Sequence, residues 1–294
     1  MPAYRITHTT TFYHHPHASA AWQSVHLQPR DEPTQRRDSF ELEISPSPAD
    51  LVSRVDFFGN TQHFFTLLAP LKELAIASRA VVHREEPPVP MPGLTPSLAE
   101  ARAQVDDLAT GEQFALEQFR HASPLAPLLP AAAALASEFK LDPREPALAW
   151  LVALGRRFHA AFTYDPKATN ISTPLAEVLA HRRGVCQDFA HALVSCVRSH
   201  GLPAAYVSGY LLTAPPPGQP RLRGADAMHA WLSVFIPGTG WVDYDPTNAC
   251  FAGASHLVVA RGRDYADVSP VKGIFRGGLH TLATEVTVEP AETS

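Results

Sequence analysis

The chain has 294 residues, 45% of them apolar and 18% charged, with a formal net charge of −5. That composition supplies material for one large or two ordinary domains and excludes global disorder. It also excludes the basic face of a nucleic-acid binder, since Gln35-Arg36-Arg37 and His181-Arg182-Arg183 are too short to be more than solvated surface.

The first residues, Met1-Pro-Ala-Tyr-Arg-Ile-Thr-His-Thr-Thr10, lack the apolar stretch of a secretory signal. Residues 125–136 form the most apolar segment. Pro127 and Pro130 interrupt it, and it falls short of the ~20 residues that a membrane-spanning helix needs. A cytoplasmic protein without a membrane partner is expected.

Residues 1–86 read as an all-β, sandwich-like domain. Tyr4, Ile6, His8, Thr10 and Phe12 alternate with Arg5, Thr7, Thr9 and Thr11. Phe40 to Ile44 alternates more cleanly. Gly59-Asn60 marks a turn between 55–58 and 61–68, and 74–83 completes the module. Residues 87–96 read as a stiff, Pro-rich linker. Residues 97–294 then begin with Ala-rich helices and end in a strand pattern at Leu282, Thr284, Val286 and Val288. The fold class is α+β.

The three cysteines, Cys186, Cys196 and Cys250, are too few for a disulfide framework. On one helix, ten residues separate Cys186 from Cys196 by about 15 Å, beyond the ~7 Å Cα limit of a disulfide. Cys196 and Cys250 read as small buried apolar residues. Cys186 differs. A helix is expected from Cys186 to His200, with Asp188 in its first turn, Arg198 and His200 in its last, Gly201 as a left-handed cap and Pro203 as a stop. Unpaired backbone N–H groups at a helix start favour a thiolate. The Cys186 backbone N–H is also a candidate oxyanion donor. Gly184 suggests close approach of a backbone or substrate.

Residues 227–248 read as a hairpin turning at Pro237-Gly238-Thr239-Gly240. Folding about Pro237 would oppose His229 to Asp245, Trp231 to Asp243 and Ser233 to Trp241, with ~5 Å between partner Cβ atoms. An aspartate on one imidazole nitrogen leaves the other to serve a nucleophile. Asp243 and Asn248 are alternative orienters; His191 and His200 are poorly aimed from the cysteine helix.

The same residues resemble the transglutaminase-like superfamily. Gly184-Val-Cys-Gln-Asp-Phe-Ala190 is similar to its nucleophile motif, His229-Ala-Trp231 to its histidine motif and Trp241-Val-Asp-Tyr-Asp-Pro-Thr247 to its aspartate motif. Gly201 to Tyr210 is similar to the strand that follows the nucleophile helix. Tyr4 to Thr10, Asp56 to Asn60 and Gly262 to Pro270 resemble the bacterial branch. Ala205 and Lys272 depart from it, standing where the common pattern has arginine.

The resemblance implies a papain/transglutaminase-like core, helices on an antiparallel sheet. It implies Cys186, His229 and Asp245 as a catalytic triad acting on a peptide or amide through a thioester, as a cysteine protease or amidase, the alternatives being a transglutaminase with an amine acceptor and a non-catalytic binding module. Tyr164 is a candidate side-chain oxyanion donor. No cofactor or metal is expected. A metal reading of His14, His15, His17 and His8 lacks nearby acidic or cysteine partners. The loop 213–224 is a candidate border of the cleft. Oligomeric state is not legible.

Overall fold

A computed structural model describes residues 2–88, 90–213, 224 and 226–291. The expected cleft-bordering loop, 213–224, lies mostly outside the described residues. The N-terminal strands are β1 (Ala3–Ala18), β2 (Ala20–Val25), β3 (Gln35–Ser45), β4 (Leu51–Val55), β5 (Thr61–Leu67) and β6 (Leu71–Arg84). Helices α1 (Leu98–Asp106), α2 (Thr110–Glu117), α3 (Pro130–Glu138) and α4 (Ala147–Ala161) follow. Short β7 (Thr163–Tyr164), α5 (Leu175–His181) and short β8 (Arg183–Gly184) lead into α6 (Cys186–Ser199). Then come β9 (Ala204–Leu211), β10 (Met228–Ile236), β11 (Gly240–Asp245), β12 (Cys250–Phe251), β13 (His256–Gly262), α7 (Tyr265–Val268), β14 (Val271–Arg276) and β15 (Leu279–Pro290). Among the described residues, no helix is long and apolar enough to cross a membrane.

The period-two pattern of β1 buries Tyr4, Ile6, His8, Thr10, Phe12 and His14 on one face. Two sheets, ordered β15-β1-β6-β3 and β14-β2-β5-β4, enclose a shared core that includes Phe12, Val25, Phe65, Leu74 and Ile76. The C-terminal strands therefore belong to these sheets: β15 pairs with β1, and β14 with β2. The sequence reading grouped them with the catalytic part. Their alternation reveals a strand, but nothing local names so distant a partner.

A third sheet, ordered β12-β11-β10-β9-β13, is antiparallel throughout. Helices α4 and α6 cover one face, where Trp150, Leu154, Phe189, Leu193, Leu232, Val234 and Tyr244 share a core. Helix α6 is buried on all sides between Asp188 and Arg198, so it is more enclosed than an amphipathic stripe implies. The Arg198 side chain does more than complement the helix end. It donates to the backbone carbonyls of Ala204, Arg263 and His121, tying α6 to three other segments.

Gly155 sets the approach of α4 to the sheet. A Cβ there would lie 2.1 Å from Cε1 of Tyr244. Gly155→Ala should therefore lower stability by about 1–3 kcal/mol through overpacking, although alanine is the better helix former. Urea unfolding would measure this, and an unchanged midpoint would show that the helix can shift at no cost.

The first two sheets also seal the edge of the third. The Gln35 side chain donates to the Val258 carbonyl at 2.7 Å and accepts from the Val258 N–H at 2.8 Å. Asn60 does the same to Arg261, at 2.8 Å each way. Side-chain amides thus stand in for a neighbouring strand along β13. An apolar contact layer joins Tyr4, Ile6, Val82 and Val288 to Tyr206, Tyr210, Leu257 and Val259. Glu86, just before the Pro-rich segment, also reaches the catalytic part, accepting from the Ala254 N–H at 2.7 Å.

The N-terminal histidines disperse. His14 is buried against Phe275 and beside His280. His14 turns inward because it continues the buried face of β1. His15 and His17 are exposed, and His8 bonds Tyr210 and Thr10. Cys196 is buried as expected. Cys250 is exposed, because β12 is a two-residue strand at the sheet edge with no neighbour on its far side among the described residues.

Candidate active site

Cys186 is the first residue of α6, so its backbone N–H has no intrahelical acceptor. Val185 before it is extended and donates its N–H to Asp188 Oδ2 at 2.9 Å. The Thr169 hydroxyl donates to the same oxygen at 2.6 Å. This bracket explains Gly184, whose Cβ would sit 2.6 Å from Asp188 Oδ2. The space that Gly184 vacates is filled by Asp188, where the sequence reading expected a backbone or substrate.

His229 and Asp245 meet across the β10–β11 hairpin, with Nε2 donating to Oδ2 at 2.7 Å. The register differs from a fold about Pro237: Ser233 opposes Asp243, and Ile236 opposes Gly240. The hairpin centres on Gly238 in a three-residue loop, 237–239, with left-handed glycines at 238 and at the first strand residue, 240. Each partner is displaced by two residues, which preserves the face. His229 therefore reaches Asp245 diagonally, as Trp231 reaches Asp243.

Asp245 is fully buried and accepts from many donors. Its Oδ2 receives His229 at 2.7 Å, Asn248 Nδ2 at 2.7 Å and His256 Nε2 at 3.1 Å. Its Oδ1 receives the backbone N–H groups of Thr247 and Asn248. Burial alone would raise this carboxyl. The bonds from His229, His256 and Asn248 and the His229 charge hold it well below the usual carboxylate range. Burial opposes the charged form of His229 too, but bonds to Asp245 and Cys186 and the charges of both push it up to about 10. With Nε2 committed to Asp245, Nδ1 is the ring nitrogen that remains to serve Cys186. The structure brings all three predicted residues together.

The alternatives have other partners. Asp243 is pushed down to about 2: burial would raise it, and the Arg261 charge and bonds outweigh that. Arg261 holds it at 2.8 and 2.9 Å and also binds Glu32. Asn248 orients Asp245 and leaves His229 alone. His191 accepts from the Tyr265 N–H, and burial pushes it down to about 4. Tyr164 pairs with Gly184 across the short parallel β7–β8 ladder and is 52% exposed. Burial, then the charge of Cys186, raises its phenol above the ordinary value, so it stays a proton donor.

His256 was not legible in the sequence. A lone histidine before an apolar strand reads as structural, and only its placement beside Asp245 reveals more. Its Nδ1 accepts from the Gly253 N–H at 3.2 Å, so Nε2 carries the proton that Asp245 receives. His229, Asp245 and His256 place ligand-type atoms within 4.8 Å of one another. In this arrangement both imidazoles spend their Nε2 protons on the carboxylate, which is hydrogen bonding and not a ligand set.

Residues 134–246 match the transglutaminase-like superfamily, and residues 4–83 match the bacterial transglutaminase-like N-terminal region. The chain belongs to the transglutaminase-like superfamily. An uncharacterized protein of Mycobacterium tuberculosis is 36% identical over 97% of this chain and 91% of its own length. A protein-glutamine gamma-glutamyltransferase of Pseudomonas aeruginosa is 34% identical over 122 residues, 40% of this chain and 18% of that protein. The crystal structure of a candidate cysteine protease from Cytophaga hutchinsonii superposes over 100% of this chain and 92% of its own, with TM-score 0.78 and 18% identity, a likeness of fold.

Within this transglutaminase-like core, His256→Phe would keep ring volume and remove one donor from a buried carboxylate. It should cost about 1.5–3 kcal/mol. Chemical denaturation reads this directly, and a wild-type midpoint would mean that the bond contributes nothing.

Proposed function

We propose that the protein is a cysteine-dependent acyl-transfer enzyme that cleaves amide or peptide bonds. The observation that carries this reading is Cys186 at a helix start beside a His229 ring whose Nε2 is fixed by buried Asp245. The sulfur anion attacks the carbonyl carbon. The Cys186 N–H and the Tyr164 hydroxyl are the candidate donors to the oxygen that becomes negative. His229 gives its proton to the leaving nitrogen as the C–N bond breaks, leaving a thioester. Water then attacks the thioester, His229 takes a proton, and the acid departs with the thiolate restored. Cys186 is only partly buried, so water can reach the acylated sulfur. Localisation in the cytoplasm remains our expectation for this activity.

A second reading has amine in place of water as the acceptor. The glutamyltransferase similarity across 40% of the chain favours it. One experiment separates the two. A panel of peptide amides is incubated with the protein, with and without a primary amine, and products are weighed by mass spectrometry. Free acid in both arms supports hydrolysis. A substituted amide replacing acid in the amine arm supports transfer. Product formation undiminished in Cys186→Ala would defeat both.

A further inference from the structure

We propose that the junction between the N-terminal sheets and the catalytic sheet holds a second binding site, selective for a carboxylate carried on an apolar body. A cavity of about 720 Å³ lies there, within the range of small-molecule sites. No residue of the Cys186–His229–Asp245 set lines it. Its apolar wall comes from Phe58, Phe119, Trp241 and Phe251, and Trp241 is 41% exposed.

The charge arrangement names the ligand. Arg30, Arg84 and Arg261 all line the cavity. Arg261 is committed to Asp243 and Glu32, and Arg30 stands 3.4 Å from Glu32. Both of those carboxylates are thereby neutralised. Asp31 also lines the cavity, and it pairs with Arg37. Arg84 is the exception. It is 2% exposed, donates from Nη1 to Thr34 at 2.8 Å, and leaves Nε with no partner. It forms no ion pair among the described residues, and Asp243, Glu32 and Glu86 act on it only through longer-range charge.

A buried guanidinium with one neutral acceptor is an expensive arrangement, and an anion entering the cavity relieves it. Aromatic walls beside that charge select an acid with an apolar body over a bare inorganic ion. Such a carboxylate comes from a free small acid or from the C-terminus of a peptide.

Calorimetry on the Cys186→Ala protein tests the site, independently of the catalytic reading. Two matched pairs serve as probes: 4-phenylbutyrate against 4-phenylbutyramide, and acetyl-Ala-Ala-Phe as free acid against its amide. The expected result is a preference of about ten-fold or more for the acid in at least one pair, lost in Arg84→Met. The pair that shows it identifies the source. Trp241→Ala, at a half-exposed wall, should weaken both members of that pair and keep their ratio. The proposal is overturned if neither pair discriminates, if the preference survives in Arg84→Met, or if Trp241→Ala binds as tightly as its parent.

Discussion

Brief treatment with iodoacetamide at pH 6 should alkylate Cys186 about 100-fold faster than either other cysteine. The three thiols differ in surroundings. Burial pushes Cys196 up to about 12. Cys250 is exposed at the sheet edge, yet partial burial of its sulfur and the charge of Asp245, its cross-strand neighbour, push it up to about 11. Only about one in 300 ordinary thiols is ionised at pH 6. Cys186 stands at a helix start, with the positively charged form of His229 before it. Peptide mapping would resolve the three sites in one sample. His229→Ala should remove most of the difference, which separates the imidazole from the helix. Equal labelling of Cys186 and Cys250 would end the activated-nucleophile reading.

Asp245→Asn should reduce kcat/KM by about 10²–10⁴-fold and destabilise the fold by about 3–5 kcal/mol. The reason lies in what surrounds the carboxylate. Every group that touches it is a donor: His229, His256, the Asn248 amide and the backbone N–H groups of Thr247 and Asn248. An amide in its place has one acceptor oxygen. Either orientation points an NH2 at donors and leaves them unmet.

The stability cost should vary with pH. His229 titrates above its ordinary value in the folded chain, so its contribution is complete below about pH 6.5 and is lost as pH rises toward about 10. Asp245 titrates below its ordinary value, so its contribution is complete above about pH 4 and is lost on acidification. These are two views of largely one bond and do not sum. The variant's deficit should thus be greatest between about pH 4 and 6.5 and shrink on the alkaline side. A deficit flat from pH 5 to 10 would show that the charged pair does not form.

Local signals made much of the site readable. Gly201 and Pro203 end α6 almost where expected, and Cys186 begins it. The facing of His229 and Asp245 was right although the register was not, because a two-residue displacement returns a side chain to the same face. Long-range features were harder. The Leu282–Val288 alternation gave a strand but could not point to β1 as its partner. His256 joins Asp245 only because β13 runs beside β9, which no spacing within the chain encodes. Gln35 read as solvated surface and Asn60 as a turn residue, yet Gln35 is buried. Their service to Val258 and Arg261, about 200 positions away, depends on how whole sheets dock.

The pairing of β1 with β15 has a consequence for biosynthesis. As the chain emerges from the ribosome, the earliest strand can join β6 but must leave its other side open until residues 279–290 have been made. Until then a row of amide groups stands ready to recruit a stray partner. The nascent chain therefore carries one vulnerable flank from the synthesis of β1 until β15 has been made, and those 12 residues are what close it.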